Sequence, residues 1–269
     1  DFKQARAKAF MRSMLGLIRG QHHKLMAWDD VRDKLNLRGL VYRGVQTVPV
    51  NSIVGSVGRF RDFDDAFLPK KNESRDRWTK INRAFYLDVS LPPVKLYKVG
   101  DVYFVLDGNH RVSVAKGHGV TFLDAEVSEA NIRVPVTELD LNADSLELLG
   151  EYQEFLFRSR LDILRPEQSI RFTIGGAYPR LIEHIAVHRY YMGLEQKRDV
   201  SEDESVIDWY DNVYLPVVKA VRDQDALSSF PGRTEADMYL WVIDHKHYLD
   251  EATEDVDDVT PEQATADYA

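Results

Sequence analysis

The chain has no cysteine in 269 residues. That excludes disulfides and thiolate metal sites, and it suits a reducing cytoplasm. Long apolar runs are missing too, with nothing near the ~20 consecutive apolar residues of a membrane span. The first segment does not read as a secretory leader. Phe2 to Arg19 scatters basic residues among Phe10, Met14, Leu15 and Ile18, without a continuous apolar block. A cytoplasmic protein without a membrane partner is expected. No internal repeat is present. Charge of one sign is scarce in each half. Residues 1–124 hold 22 Lys and Arg against 13 Asp and Glu, net +9. Residues 125–269 hold 13 against 31, net −18. The plain reading is two faces of one soluble protein. The functional reading is a basic half that meets polyanions, nucleotide or DNA, beside an acidic half that repels or shields DNA.

What is present centres on Val102 to Lys116. Five apolar, β-prone residues, Val102 to Leu106, read as a buried strand. Asp107-Gly108 makes a tight turn, and a helix starts near Asn109 or His110. Such a junction aims free backbone N–H groups and the positive end of a helix dipole at one spot. Gly108 lets the backbone approach a ligand, Asn109 and His110 supply donors, and Arg111 can fork onto phosphate oxygens. Asp107 can hold Mg2+ through water or simply fix the turn. The bland alternative is a helix cap with a surface arginine. Upstream, Arg59, Arg61, Asp62 and Asp64 form a mixed-charge loop suited to phosphate contact and to metal or proton handling, or simply a solvated loop.

The run Asp107-Gly108-Asn109-His110-Arg111, with Thr47 to Ile53 and the arginine loop Gly58 to Asp64 before it, resembles the ParB/sulfiredoxin-like superfamily. The resemblance covers roughly residues 47–127. It departs from sulfiredoxin, which needs a cysteine where Asn109 stands, and from the Gly-Glu-Arg-Arg of partitioning ParB proteins. It is most similar to the Asp-Gly-His-His-Arg form of archaeal free-serine kinases, with only Asn109 differing. The resemblance implies a small mixed-sheet α/β (α+β) domain that binds a nucleotide (ATP, ADP or CTP), with Mg2+ as a companion. It also implies a carboxylate base in the upstream loop, for which Asp62, Asp64 and Asp65 are the stand-ins. Asp62, Asp64 and Asp107 are taken as the candidate catalytic residues.

Four segments are expected: a helical N-terminal extension (1–45), the ParB-like domain (46–140), a mostly helical C-terminal domain (141–250) and an acidic, disordered tail (251–269). Helices are predicted over 3–19, 28–35, 74–87 and 109–116, and strands over 47–50, 94–99, 102–106, 120–127 and 134–136. Residues 63–68 read as a helical turn. Beyond Asp144, helices are predicted over 145–161, 179–192, 201–222 (kinked at Pro216) and 234–249, with a strand over 170–174. Ser201-x-x-Glu204 reads as a capping box, and Thr234-x-x-Asp237 caps the last helix.

Other polar groups carry weaker signals. Lys70, Lys71, Arg75 and Arg77 crowd a helix start, where each base opposes the dipole by about 0.3–1 kcal/mol. A ligand would explain them, as would a solvated helix end. His184 and His188 lack the glutamate and third ligand of a zinc site, and read as packed or hydrogen-bonded histidines. His245 and His247 face different ways. Trp209, Tyr210, Tyr214, Tyr239 and Trp241 read as core, and Arg233 as a turn residue able to bind an anion. Three functions stay open: an NTPase or small-molecule kinase, a DNA-associated regulator switched by nucleotide, and a non-catalytic nucleotide-sensing module. A homodimer is compatible with each.

Overall fold

A computed structural model describes residues 2–19, 24–87 and 89–252. In chain order its first part contains α1 (Phe2–Arg19), β1 (Met26–Ala27), α2 (Trp28–Lys34), β2 (Leu40–Pro49), β3 (Ile53–Ser56), α3 (Arg75–Tyr86), β4 (Val94–Val99), β5 (Val102–Asp107), α4 (Asn109–Gly117) and β6 (Phe122–Ala130). The strands form one mixed sheet in the order β1-β3-β5-β4-β6-β2. β4 and β5 are the hairpin predicted around Gly100-Asp101, with Val99 opposite Val102. Gly100 takes φ +55°, and a Cβ there would lie 2.4 Å from the Val136 carbonyl oxygen, so only glycine fits. β3 lies parallel to β5 and β6 parallel to β4, while β2 runs antiparallel to β6 along the edge. Ile53, Phe63, Phe67, Leu96, Val105, Val112 and Val127 form the core between sheet and connections. This is an α/β fold of the expected class.

Several local expectations change. Residues 1–45 are not a separate extension, because β1 pairs with β3 and β2 begins at Leu40. They belong with the sheet to one compact unit, Asp1–Leu146, which a second unit, Glu147–Ala269, follows. Residues 63–68 form no helical turn. Phe63 bridges Pro69, and Asp64 closes the turn with its backbone on Leu68. Residues 134–136 do not pair as a strand, although Val134 and Val136 are buried. Short β3 and β1 carry too few residues for an alternating pattern to show in the sequence.

The second unit is helical. α5 (Ala143–Ser159) crosses the boundary, and α6 (Leu161–Leu164), α7 (Ala177–Gln196), α8 (Glu202–Trp209), α9 (Leu215–Asp223) and α10 (Glu235–Ala252) follow. Residues 170–174 are irregular rather than a strand. They are held by Asp237, which accepts the Thr173 N–H at 3.0 Å and its hydroxyl at 2.7 Å. Ser201 caps α8 by accepting the Glu204 N–H at 3.2 Å. A π-turn over Tyr210–Tyr214 joins α8 to α9 just before Pro216, whose missing N–H cannot continue an α-helical ladder. The aromatic set is largely core: Trp209, Tyr210, Tyr214 and Tyr239 are buried. Trp209 Nε1 donates to the Tyr239 hydroxyl at 3.2 Å, and His184 meets the same hydroxyl at 3.2 Å. His188 pairs with Asp208 at 2.7 Å. Arg233 donates to Thr173 at 2.9 Å and lies over the Trp241 ring. The tail expected beyond residue 252 and the His247 side chain lie outside the described residues.

The β1–β3 contact gives a direct test of the sheet. A Cβ on Gly55 would lie 2.4 and 2.5 Å from Phe104 ring carbons and 2.6 Å from the Met26 carbonyl oxygen. Gly55→Ala should therefore cost about 1–3 kcal/mol by overpacking and lower Tm by several degrees in thermal denaturation. An unchanged Tm would show that β1 does not close on β3 there.

Candidate functional site

The β5–α4 junction forms because Val102, Tyr103, Phe104 and Val105 are buried in the sheet and Gly108 then reverses the chain. Gly108 sits at φ +106°, where a Cβ would lie 2.7 Å from Val94 Cγ1 and 3.1 Å from Arg111 guanidinium nitrogens. Conformation and space both demand glycine. The first intrahelical bond of α4 is Val112 N–H to the Gly108 carbonyl at 3.0 Å. The N–H groups of Asn109, His110 and Arg111 precede it and have no acceptor within the helix.

These residues wall a cavity of about 310 Å³. Gly58 and Arg59 contribute from the loop after β3, Arg77 and Ile81 from α3, and residues 106–111 from the junction. Asn109 and His110 are 6% and 5% exposed, yet Asn109 Oδ1 and His110 Nδ1 have no hydrogen-bond partner. Buried polar atoms left so cost about 1–3 kcal/mol each, which a ligand in the cavity would recover. The His110 ring meets the Phe63 ring edge-on at 5.3 Å. Burial lowers its pKa to about 4, and Arg77 and Arg59 add to the effect, against a small opposing contribution from Asp62. His110 is therefore a neutral imidazole at pH 7.

Arg111 does not face the cavity as a free clamp. Its guanidinium donates to Asp107 Oδ2 at 2.6 Å, to the Pro93 carbonyl at 2.8 Å and to the Pro92 carbonyl. Asp107 lies one helical turn before it, and residues 92–93 pass close by, so the arginine folds back instead of reaching out. Arg77 supplies the cation the motif lacks. It makes no ion pair among the described residues, and it acts electrostatically on His110. Arg59 reaches Asp62 only at 3.4 Å, while Asp62 is held more closely by Lys71 at 2.8 Å. Arg61 lies against the Phe60 ring and does not line the cavity. The crowding of bases at 70–77 was the only sequence signal for Arg77.

The three aspartates expected to act as base or metal ligand are each engaged elsewhere. Asp64 is 1% exposed. Its Oδ1 accepts the N–H groups of Ala66 at 3.0 Å and Leu68 at 2.8 Å, and Arg12 stands 3.4 Å from its other oxygen. Burial raises its pKa. It is a turn-closing residue and does not line the cavity. Asp62 serves Lys71 and Arg59, and Asp107 serves Arg111. No group of three or more His, Cys, Asp or Glu side chains that could hold a metal ion occurs among the described residues. The arrangement can bind an oxyanion through two guanidinium groups, helix N–H groups and the Asn109 amide. It offers no unpaired carboxylate to accept a proton.

Neither a family model nor a curated protein matches this sequence. Among solved structures the chain is similar to the C2221 form of a Pnob8-like ParB-N domain, at 13% identity, over 85% of this chain and 93% of that chain, with TM-score 0.24. A second structure of a pNOB8-like ParB N-domain gives 12% identity over 84% and 82%, with TM-score 0.23. At such TM-scores the likeness decides neither fold nor function.

His110 makes stability pH-dependent with a definite sign. Its folded pKa of about 4 lies below the 6.5 of the free side chain. The unfolded chain therefore binds the proton first, and stability present above pH 6.5 is lost as pH falls toward about 4. The slope from this one group approaches about 1.4 kcal/mol per pH unit within that window. Denaturant unfolding from pH 7 to pH 4 should show a shallower decline in His110→Gln than in the native chain. Equal slopes would mean that the ring is not held neutral.

Proposed function

We propose that the first unit is a ParB-like module that binds a nucleotide through its phosphates, at the mouth of α4. One observation carries this reading. Asn109 Oδ1 and His110 Nδ1 are buried without partners at a helix N-terminus that Arg59 and Arg77 flank. Phosphate oxygens satisfy the helix N–H groups and both arginines, and Gly108 allows close backbone approach. A ribose or phosphate hydroxyl satisfies the Asn109 carbonyl oxygen. The motif resemblance points the same way, toward ATP, ADP or CTP.

Binding without phosphoryl transfer is the better-supported form. Transfer needs a carboxylate base and Mg2+ across adjacent oxygens. Asp107 is the one candidate aspartate at the cavity wall, and one of its carboxylate oxygens is already held by Arg111. The net charge of +9 over residues 1–124 favours a second role, in which the bound nucleotide switches contact with DNA. Localisation in the cytoplasm stays part of the proposal. No described helix is long and apolar enough to cross a membrane.

Thermal denaturation with ATP, ADP, CTP and inorganic pyrophosphate, each with and without Mg2+, tests the binding. A ligand present at about one hundred times its Kd should stabilise the fold by about 2.7 kcal/mol. Arg77→Ala and Arg59→Ala should remove the shift while leaving the unliganded Tm nearly unchanged. Arg111→Ala should lower the unliganded Tm itself. A panel without any shift would end the nucleotide reading, and duplex DNA binding absent at low salt would end the second role.

A further inference from the structure

Helix α7 is apolar on two opposite faces. Leu181 and Ile185 are buried in the core of the second unit. Across the helix, Val187, Tyr190, Tyr191 and Leu194 are 56%, 63%, 63% and 57% exposed. Their spacing of i, i+3, i+4 and i+7 makes one continuous stripe. At 100° per residue the stripe is centred roughly opposite Leu181 and Ile185. Four adjoining large apolar side chains are more than scattered surface residues, and a patch of this kind marks an interaction site.

The charges at the ends of the stripe say what covers it. Glu183 stands at its N-terminal end and Lys197 at its C-terminal end, both exposed. Neither makes an ion pair among the described residues. We propose that α7 pairs antiparallel with α7 of a second copy of this chain, about a two-fold axis between Tyr190 and Tyr191. That register sets Val187 on Leu194, Tyr190 on Tyr191, and Glu183 beside Lys197 of the second copy, each contact made twice. A parallel pairing would set Glu183 against Glu183 and Lys197 against Lys197, which is unfavourable. Two-fold self-pairing is the commonest way for one surface to complement itself.

Sedimentation velocity and light scattering on the full chain, from micromolar to near-millimolar concentration, test this. The native chain should reach twice the 31.0 kDa of one copy. Tyr191→Glu and Leu194→Glu, both at exposed positions, should weaken association by about tenfold or more, with far-UV circular dichroism and Tm unchanged. Glu183→Lys should weaken the dimer, and Glu183→Lys combined with Lys197→Glu should restore it. A native chain that stays monomeric throughout, or a dimer indifferent to these changes, overturns the proposal. The first result would hand the stripe to another occupant.

Discussion

The guanidinium of Arg111 braces three parts of the chain against one another: the end of β5, the start of α4 and the segment that enters β4. Two bonds go to proline carbonyls and one to Asp107. Asp107 is 56% exposed, so solvent screens the ion pair, and pairs of this kind contribute about 0–1 kcal/mol. Hydrogen bonds to a charged group contribute about 1.5–3 kcal/mol each. The carbonyl bonds are therefore the larger part of the brace. Gly108 fits beside this brace, because a Cβ there would meet Val94 Cγ1 at 2.7 Å and press on the folded-back arginine at 3.1 Å. The brace also neutralises Asp107, which would otherwise repel an anion at the cavity wall.

A second constraint reaches the cavity from the other side. Asp64 is buried with two backbone N–H groups and Arg12, and this closes the turn that places Phe63 and Phe67 in the core. Phe63 in turn is the ring against which His110 packs. The aspartate thus acts on the site through packing. Its removal would expose or displace Phe63 before it changed any proton transfer, because its carboxylate never faces the cavity.

The junction itself was legible in the sequence, since strand, glycine and helix are set by neighbouring residues. The direction of Arg111 was not, because its carbonyl partners lie 18 and 19 positions away. Asp64 looked like a free base because Arg12, its distant partner, lies in a helix with no motif. Arg77 was visible only as one base in a crowd. Its place is fixed by the next residue, Trp78, which is buried and donates to Ser113 Oγ at 2.9 Å. With Trp78 turned inward onto α4, Arg77 lies about 100° round the helix and meets the cavity. The reading of residues 1–45 as an appendage failed for a similar reason. A two-residue parallel strand such as β1 has no pattern of its own, and β2 is an edge strand whose side chains are mostly exposed.

The uneven charge gains meaning once pairs are traced. β6 carries Asp124, Glu126 and Glu129, which meet Thr47, Lys95, Lys98 and Arg43 across neighbouring strands. Cations of the sheet are thereby largely neutralised where they stand. α3 keeps Arg75, Arg77, Lys80 and Arg83 against the single Asp76. The positive excess of the first unit thus sits mainly on helices, on α1 with five bases and no acid and on α3, and of these two α3 walls the cavity. Exposed charges more than about 8–10 Å apart are screened at physiological salt, so only cations this near the helix mouth can hold an anion there. Cations farther along α3 can still speed its approach at low salt. The same fold that uses up Arg111 internally leaves the neighbouring helix charged, so the proposed anion site would draw its cations from α3 and the loop after β3, not from the motif's own arginine.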